Sequence, residues 1–214
     1  MAALVDCQLL DPSSFIAGLI DKYYIVEQIE KLSLLADDNR THVSLGNRVK
    51  AILLYGLGHP QRTLYKTPNF FETVQVERLF GDDTLQAIDF DDNALGRGLG
   101  KIAESGASKM LSELAFNLLE REGLLNTFLH LDSTSLKLSG VYEEADDSYA
   151  IPDFGYSKDK RPDLKQVVLT IVTTGHKGCP LWFQLSSFNS WGNHNDKTGF
   201  HETIDRVTSS LSQT

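Results

Sequence analysis

The spacing of apolar residues changes once along the chain, and that change constrains the fold more than any other feature. Up to Gly123 apolar side chains recur at helical intervals; beyond it come strand-like runs. Thr127 to Leu138 alternates, with Phe128, His130 and Asp132 on one side and Leu129 and Leu131 on the other, as a β-strand does. Gln166 to Thr174 is β-branched and nearly all apolar through Val167, Val168, Leu169, Ile171 and Val172, which suits a central strand. Gly175 to Pro180 reads as a turn, and Leu181 to Phe188, with Trp182, Phe183 and Leu185, as the returning strand. A three-stranded antiparallel meander is therefore expected. A helix should follow it, carrying Phe200, Ile204, Val207 and Leu211 and capped by Asn195 or Asp196. The class is α+β, with an all-helical domain over residues 1–123 and a sheet-containing domain over 124–214.

Within the first domain, Ser13 or Ser14 is expected to cap a helix reaching about Leu35, with Ile16, Leu19, Tyr23 and Val26 on the buried stripe. Ser44 caps a second helix with Val49, Ile52, Leu53 and Leu57 inward, ended by Gly56 and Gly58. A short helix spans roughly Phe70 to Phe80 and closes at Gly81. Asp91-Asp92-Asn93 is an N-cap cluster. Ser108 to Glu122 forms the last helix, with Met110, Leu111, Leu114, Leu118 and Leu119 on one face and Gly123 as its stop. Gly96, Gly98 and Gly100 lack the spacing of a dinucleotide-binding loop and no strand precedes them, so close helix packing is their expected use.

At 214 residues the chain has room for one large domain or two small ones. Cys7 and Cys179 are far apart in unlike contexts, which supports neither a disulfide framework nor a zinc site. With no long apolar run and no basic, apolar leader at the N-terminus, no membrane segment is expected and the expected location is a reducing cytoplasm. Net charge is −9 and the pI about 5.1, against a general nucleic-acid binder, so any such binding needs a local basic patch.

Such a patch exists between Phe154 and Gln166. Lys158, Lys160, Arg161 and Lys165 outnumber Asp159 and Asp163 there, and Gly155-Tyr156 and Arg161-Pro162 favour an exposed turn. Basic side chains of this kind suit phosphate positioning; a salt-bridged hairpin loop is the plainer alternative. Asp132 is the candidate metal ligand. A carboxylate among residues that would otherwise form a core needs compensation, and a hard cation such as Mg²⁺ or Mn²⁺ supplies it. Glu143-Glu144-Ala145-Asp146-Asp147 reads as a solvated acidic loop, Asp196 as a helix cap, and His194 and His201 as surface histidines.

Three stretches carry a family likeness: Leu131-Asp132-Ser133-Thr134-Ser135, Gly155 to Gln166, and Gly192-Asn193-x-x-Asp196-Lys197-Thr198. In these the chain resembles insertion-sequence transposases of the DDE class, whose catalytic domain is ribonuclease-H-like. The helical part is similar to the domain that precedes it in one branch of them, at Gly46-x-x-Val49-Lys50-Ala51, Leu57-Gly58, Arg62-x-Leu64-Tyr65, Phe70-Phe71, Val76-Glu77-Arg78-Leu79 and Asp91-Asp92-x-Ala94-Leu95-Gly96-Arg97. The resemblance implies a protein that cuts and joins DNA through two divalent metals held by three carboxylates. It makes Asp132 the first of the three and an incomplete ribonuclease-H-like domain of the second half, because the other two carboxylates would fall after Thr214. It also implies transposon-end DNA as a partner, with Lys158, Lys160, Arg161 and Lys165 on its backbone, and a homo-oligomer or an intact transposase as the protein partner.

One carboxylate cannot hold two metals, so this chain alone is expected not to cut or join DNA. Two alternatives stand beside that reading. The chain is a DNA-binding or dimerising module that regulates an intact transposase, or a stand-alone metal-dependent nuclease that completes its site with Glu143, Asp146 or Asp196. A meander with one helix also leaves sheet edges open, from which self-association is expected unless the helical unit covers the sheet.

Overall fold

The computed structural model describes residues 12–33, 42–58, 63–125, 128–140, 142, 150–154, 163–175, 177–187 and 204–205. The chain is α+β and divides into two compact units, residues 1–110 and 111–214. Helices α1 (Ser13–Lys22), α2 (Ile25–Leu32), α3 (Leu45–Gly58), α4 (Thr67–Phe71), α5 (Val76–Phe80), α6 (Asp92–Ser105) and α7 (Ala107–Arg121) precede strands β1 (Leu129–Leu138), β2 (Asp153–Phe154), β3 (Lys165–Thr174) and β4 (Pro180–Ser187). The division falls inside α7, whose last residue lies just short of the boundary expected at 123. Among the described residues no helix is long and apolar enough to cross a membrane.

The single long helix expected from Ser13 to Leu35 is two helices. Tyr24 takes a left-handed conformation, φ 53°, at the turn between α1 and α2, and Gln28 Nε2 closes that turn by donating to the Tyr23 carbonyl at 2.8 Å. Neither serine caps α1; Pro12 precedes its first residue, and Ser13 itself is buried. Ala17, Ile20 and Ile29 form the inward stripe, while Leu19 turns outward.

Ser44 does cap α3, its hydroxyl accepting from the Asn47 amide at 3.3 Å. The buried face of α3 is rotated from the expected one: Arg48, Lys50, Ala51, Leu54 and Tyr55 are inside, and Leu53 and Leu57 point out. Both cations find internal partners, which is what permits the rotation. Arg48 Nε donates to the Val43 carbonyl at 2.8 Å, and Lys50 pairs with Asp21 of α1 while its ammonium lies 5.6 Å from the Phe80 ring centre. The Lys50 side chain is 2% exposed against 58% for Asp21. Asp21→Ala should therefore destabilise the protein by about 2 kcal/mol in urea unfolding. Adding Lys50→Met should recover most of that, because the buried ammonium no longer needs a partner. An undiminished loss in the double variant would show that the pair is not what holds α1 to α3.

Gly46 marks the closest approach of α2 and α3: an added Cβ would lie 2.6 Å from the Val26 carbonyl oxygen. Its amide also donates to Glu30 Oε1. Gly98 of α6 plays the packing part expected of the glycine-rich run, since a Cβ added there would lie 3.2 Å from the Arg48 stem, whereas one added at Gly96 or Gly100 would meet nothing within 4 Å. The expected helix from Phe70 to Phe80 is the pair α4 and α5, with Gly81 (φ 69°) closing α5. Between them these short helices bring Phe71 and Phe80 against Phe90, each with ring centroids 4.6 Å apart, and Phe70 packs on Phe71. Ala17, Ile20, Val43, Leu54, Tyr55, Leu79, Leu85 and Leu95 complete this core. The Thr84 hydroxyl and then its amide, both donating to Asp82, hold that exposed carboxyl below its ordinary value. Asp91 caps α6 through Ala94 N at 2.6 Å, and Gly123 (φ 64°) ends α7 with Leu124 N donating to Leu119 O at 2.8 Å.

In the second unit β3 is central, as its composition suggests. β1 pairs with all of it, from Leu129↔Thr174 to Leu138↔Lys165, antiparallel. β4 pairs from Val167↔Ser187 to Thr173↔Pro180, with an irregularity between Val172 and Thr173. The two-residue β2 takes the remaining positions, Asp153↔Gln166 and Phe154↔Lys165, making the sheet four-stranded. Gly178 (φ 64°) turns the β3–β4 connection, closed by Thr174 N to Cys179 O at 2.9 Å and Cys179 N to Thr174 Oγ1 at 3.1 Å. Of the helix expected beyond β4 only 204–205 are described, and they are helical.

Candidate functional site

Cross-strand partners share a face of the sheet, so the register assigns every side chain. One face carries Leu131, Ser133 and Ser135 of β1, Gln166, Val168, Thr170, Val172 and Thr174 of β3, and Trp182, Gln184 and Ser186 of β4. All five of these β3 residues are buried, with Val172, Trp182 and Leu131 packed together. The other face carries His130, Asp132, Thr134 and Leu136, then Val167, Leu169 and Ile171, then Phe183 and Leu185. Although Val167 is buried, this second face is the more open one: Leu136 is 40% and Leu185 45% exposed. The hydroxyl-rich face is the more covered of the two, and the aliphatic face that holds Asp132 the more open.

Asp132 is accordingly exposed, midway along β1. The expectation that a buried carboxylate there calls for a compensating cation is corrected: water solvates it, and its Oδ1 also accepts from the Ser133 amide at 2.8 Å. Ile171 lies directly across on β3 and Phe183 beyond it on β4. His130 shares the face two residues earlier, about 7 Å along the strand, with Nε2 3.3 Å from the Gly175 carbonyl oxygen. This donor set, one carboxylate and one imidazole, does not fit two divalent metals. Among the described residues no group of three or more histidine, cysteine, aspartate or glutamate side chains is placed to hold an ion. Glu143, Asp146, Asp196, His194 and His201 lie outside the described residues.

Of the four basic residues, Lys158, Lys160 and Arg161 also lie outside the described residues. Lys165 does not sit in the expected turn; it is the first residue of β3 and half-buried. It shares the Asp132 face, but six positions of strand separate it from Ile171, about 20 Å, so the structure does not bring the two together. The Lys165 ammonium donates to the Tyr142 carbonyl at 3.0 Å and stands 6.0 Å from the centre of the Phe154 ring. Sequence reasoning missed the aromatic component of this end of the sheet. Phe154 immediately precedes the basic segment, which was the signal available.

The fold is thus a helical unit followed by an antiparallel sheet whose open face bears a solvent-accessible aspartate. Residues 5–116 match the model of a family described as a domain of unknown function, DUF4277, and the chain belongs to that family. The match takes in α1 to α6 and much of α7 and stops short of β1, so Asp132 and Lys165 lie outside it. No curated protein and no solved structure matches the chain.

Proposed function

We propose that the chain is the N-terminal portion of a DDE-class transposase: a helical domain, then the opening strands of a ribonuclease-H-like domain. In intact form such a protein cuts and joins DNA by two-metal phosphodiester chemistry. The observation that carries the reading is the sheet itself: β1, β3 and β4 are antiparallel neighbours, and Asp132 sits mid-strand on β1 with its carboxylate accessible. Beside it stand the sequence resemblance at Leu131 to Ser135 and Gly155 to Gln166 and the helical unit ahead of the sheet. By itself this chain is expected to bind rather than cut, because among the described residues Asp132 and His130 make too small a donor set for a two-metal clamp. A DNA-binding or dimerising role beside an intact transposase follows from that shortfall, and transposon-end DNA is the partner for Lys158, Lys160, Arg161 and Lys165.

Calorimetry with Mn²⁺ on the wild type and Asp132→Asn, with supercoiled-plasmid nicking on the same samples, tests the catalytic half. Neither a tight site nor nicking is expected. Nicking that disappears in Asp132→Asn would mean the chain completes its own active site, as a stand-alone nuclease. DNA affinity tests the binding half. It should fall steeply with salt, and the slope should flatten by about three in log–log terms when all four basic residues become alanine. No measurable affinity for DNA at low salt would sink the transposase reading.

A further inference from the structure

One end of the sheet carries a constellation that the two-metal reading does not use. Phe154 of β2 is 54% exposed, and Tyr142, close in space through its carbonyl, is 38% exposed. Between them the Lys165 ammonium is held by the Tyr142 carbonyl at 3.0 Å and lies 6.0 Å from the Phe154 ring centre. The Phe154↔Lys165 register fixes the pair on one face of the sheet, and the Asp153 carboxylate turns back to accept from the Phe154 amide at 2.7 Å, which secures the backbone beneath the ring. An exposed aromatic ring is normally an unfavourable thing to present to water, and here it is presented by a strand with its cation already positioned.

We infer that Phe154 is a stacking platform for an unpaired nucleobase, with Lys165 contacting the adjoining phosphate. The inference rests on the DNA-binding reading above and sharpens it, because it names single-stranded DNA as the form recognised at this end of the sheet. Every base offers a π-face for stacking, whereas in a duplex those faces are already stacked on neighbours and only the backbone and groove edges are available. A phosphate on Lys165 would replace none of its anchoring, since an ammonium has three donors and the Tyr142 carbonyl uses one. The same face continues towards Asp132, about 20 Å away along the strands, so a strand seated on Phe154 can run along it in either direction.

The test uses fluorescence anisotropy with a labelled oligothymidylate and with a duplex of equal length, on the full chain. Phe154→Ala should weaken oligothymidylate binding about 10-fold and leave duplex binding within a factor of two or so. Phe154→Trp should preserve or tighten single-strand binding, which also controls for folding at this position. Lys165→Ala should weaken single-strand binding and flatten its salt dependence by about 0.7 in log–log slope. Unchanged oligothymidylate affinity in Phe154→Ala, or an equal loss on both forms, would overturn the stacking platform while leaving the basic residues as duplex contacts. A chain that captures a protein partner but neither form of DNA would overturn both this inference and the reading it rests on.

Discussion

Phe71→Ala is expected to lower the unfolding free energy by about 4 kcal/mol, seen as a lower urea midpoint at an unchanged slope. The ring is 1% exposed and touches three others, with centroids at 4.9 Å to Phe70, 5.6 Å to Phe80 and 4.6 Å to Phe90. Those rings come from short helices that have little stability of their own, so the helices exist because the cluster does. Removing Phe71 leaves a cavity lined by rigid groups that cannot collapse into it. Phe15→Ala, at a residue 71% exposed, should by contrast change stability by less than about 0.5 kcal/mol. Equal effects at the two positions would mean the aromatic cluster is not the core of the helical unit.

The second large effect should come from a single methyl group. Gly46→Ala gains about 1 kcal/mol of helix propensity, yet the new Cβ would lie 2.6 Å from the Val26 carbonyl oxygen and 2.7 Å from Val26 Cγ1. A backbone atom cannot rotate away, so α2 must shift from α3, and a net loss of about 2 kcal/mol is expected. Gly56→Ala lies in the same helix with nothing within 4 Å of its added Cβ, and it should stabilise the protein by up to about 1 kcal/mol. The opposite signs are the check: thermal melts in which both variants move the same way would refute the close approach of α2 to α3.

The change from helical to strand periodicity was legible in the sequence, and so were Ser44, Asp91, Gly81 and Gly123 as helix ends, because each works through local backbone chemistry. What failed was anything decided by tertiary partners. No glycine or proline marks the break at Tyr24, whose left-handed backbone sits in an otherwise continuous helical pattern. The face of α3 was misread because polarity places Arg48 and Lys50 outside, whereas the Val43 carbonyl and Asp21 hold them inside. On β1 the alternation of side chains was correct but its sense of burial was not. A run of Ser, Thr and Gln faces inward between Val168, Val172 and Trp182, and the aliphatic residues around Asp132 face out. At the candidate site the place of Asp132 within β1 was legible from the alternation, while that of Phe154 depended on a two-residue strand that no periodicity announces.

The register of β3 also sets an order of assembly. β4 returns through a short turn, so the β3–β4 hairpin closes with little loss of chain entropy and is the expected first event in forming the sheet. β1 must dock across a far longer loop: His130 meets the Gly175 carbonyl from 45 positions away. Until it does, one whole edge of β3 is unsatisfied, and the strand bearing Asp132 is the last to be secured. Substitutions in the β3–β4 turn should therefore slow refolding, whereas those in β1 should chiefly hasten unfolding.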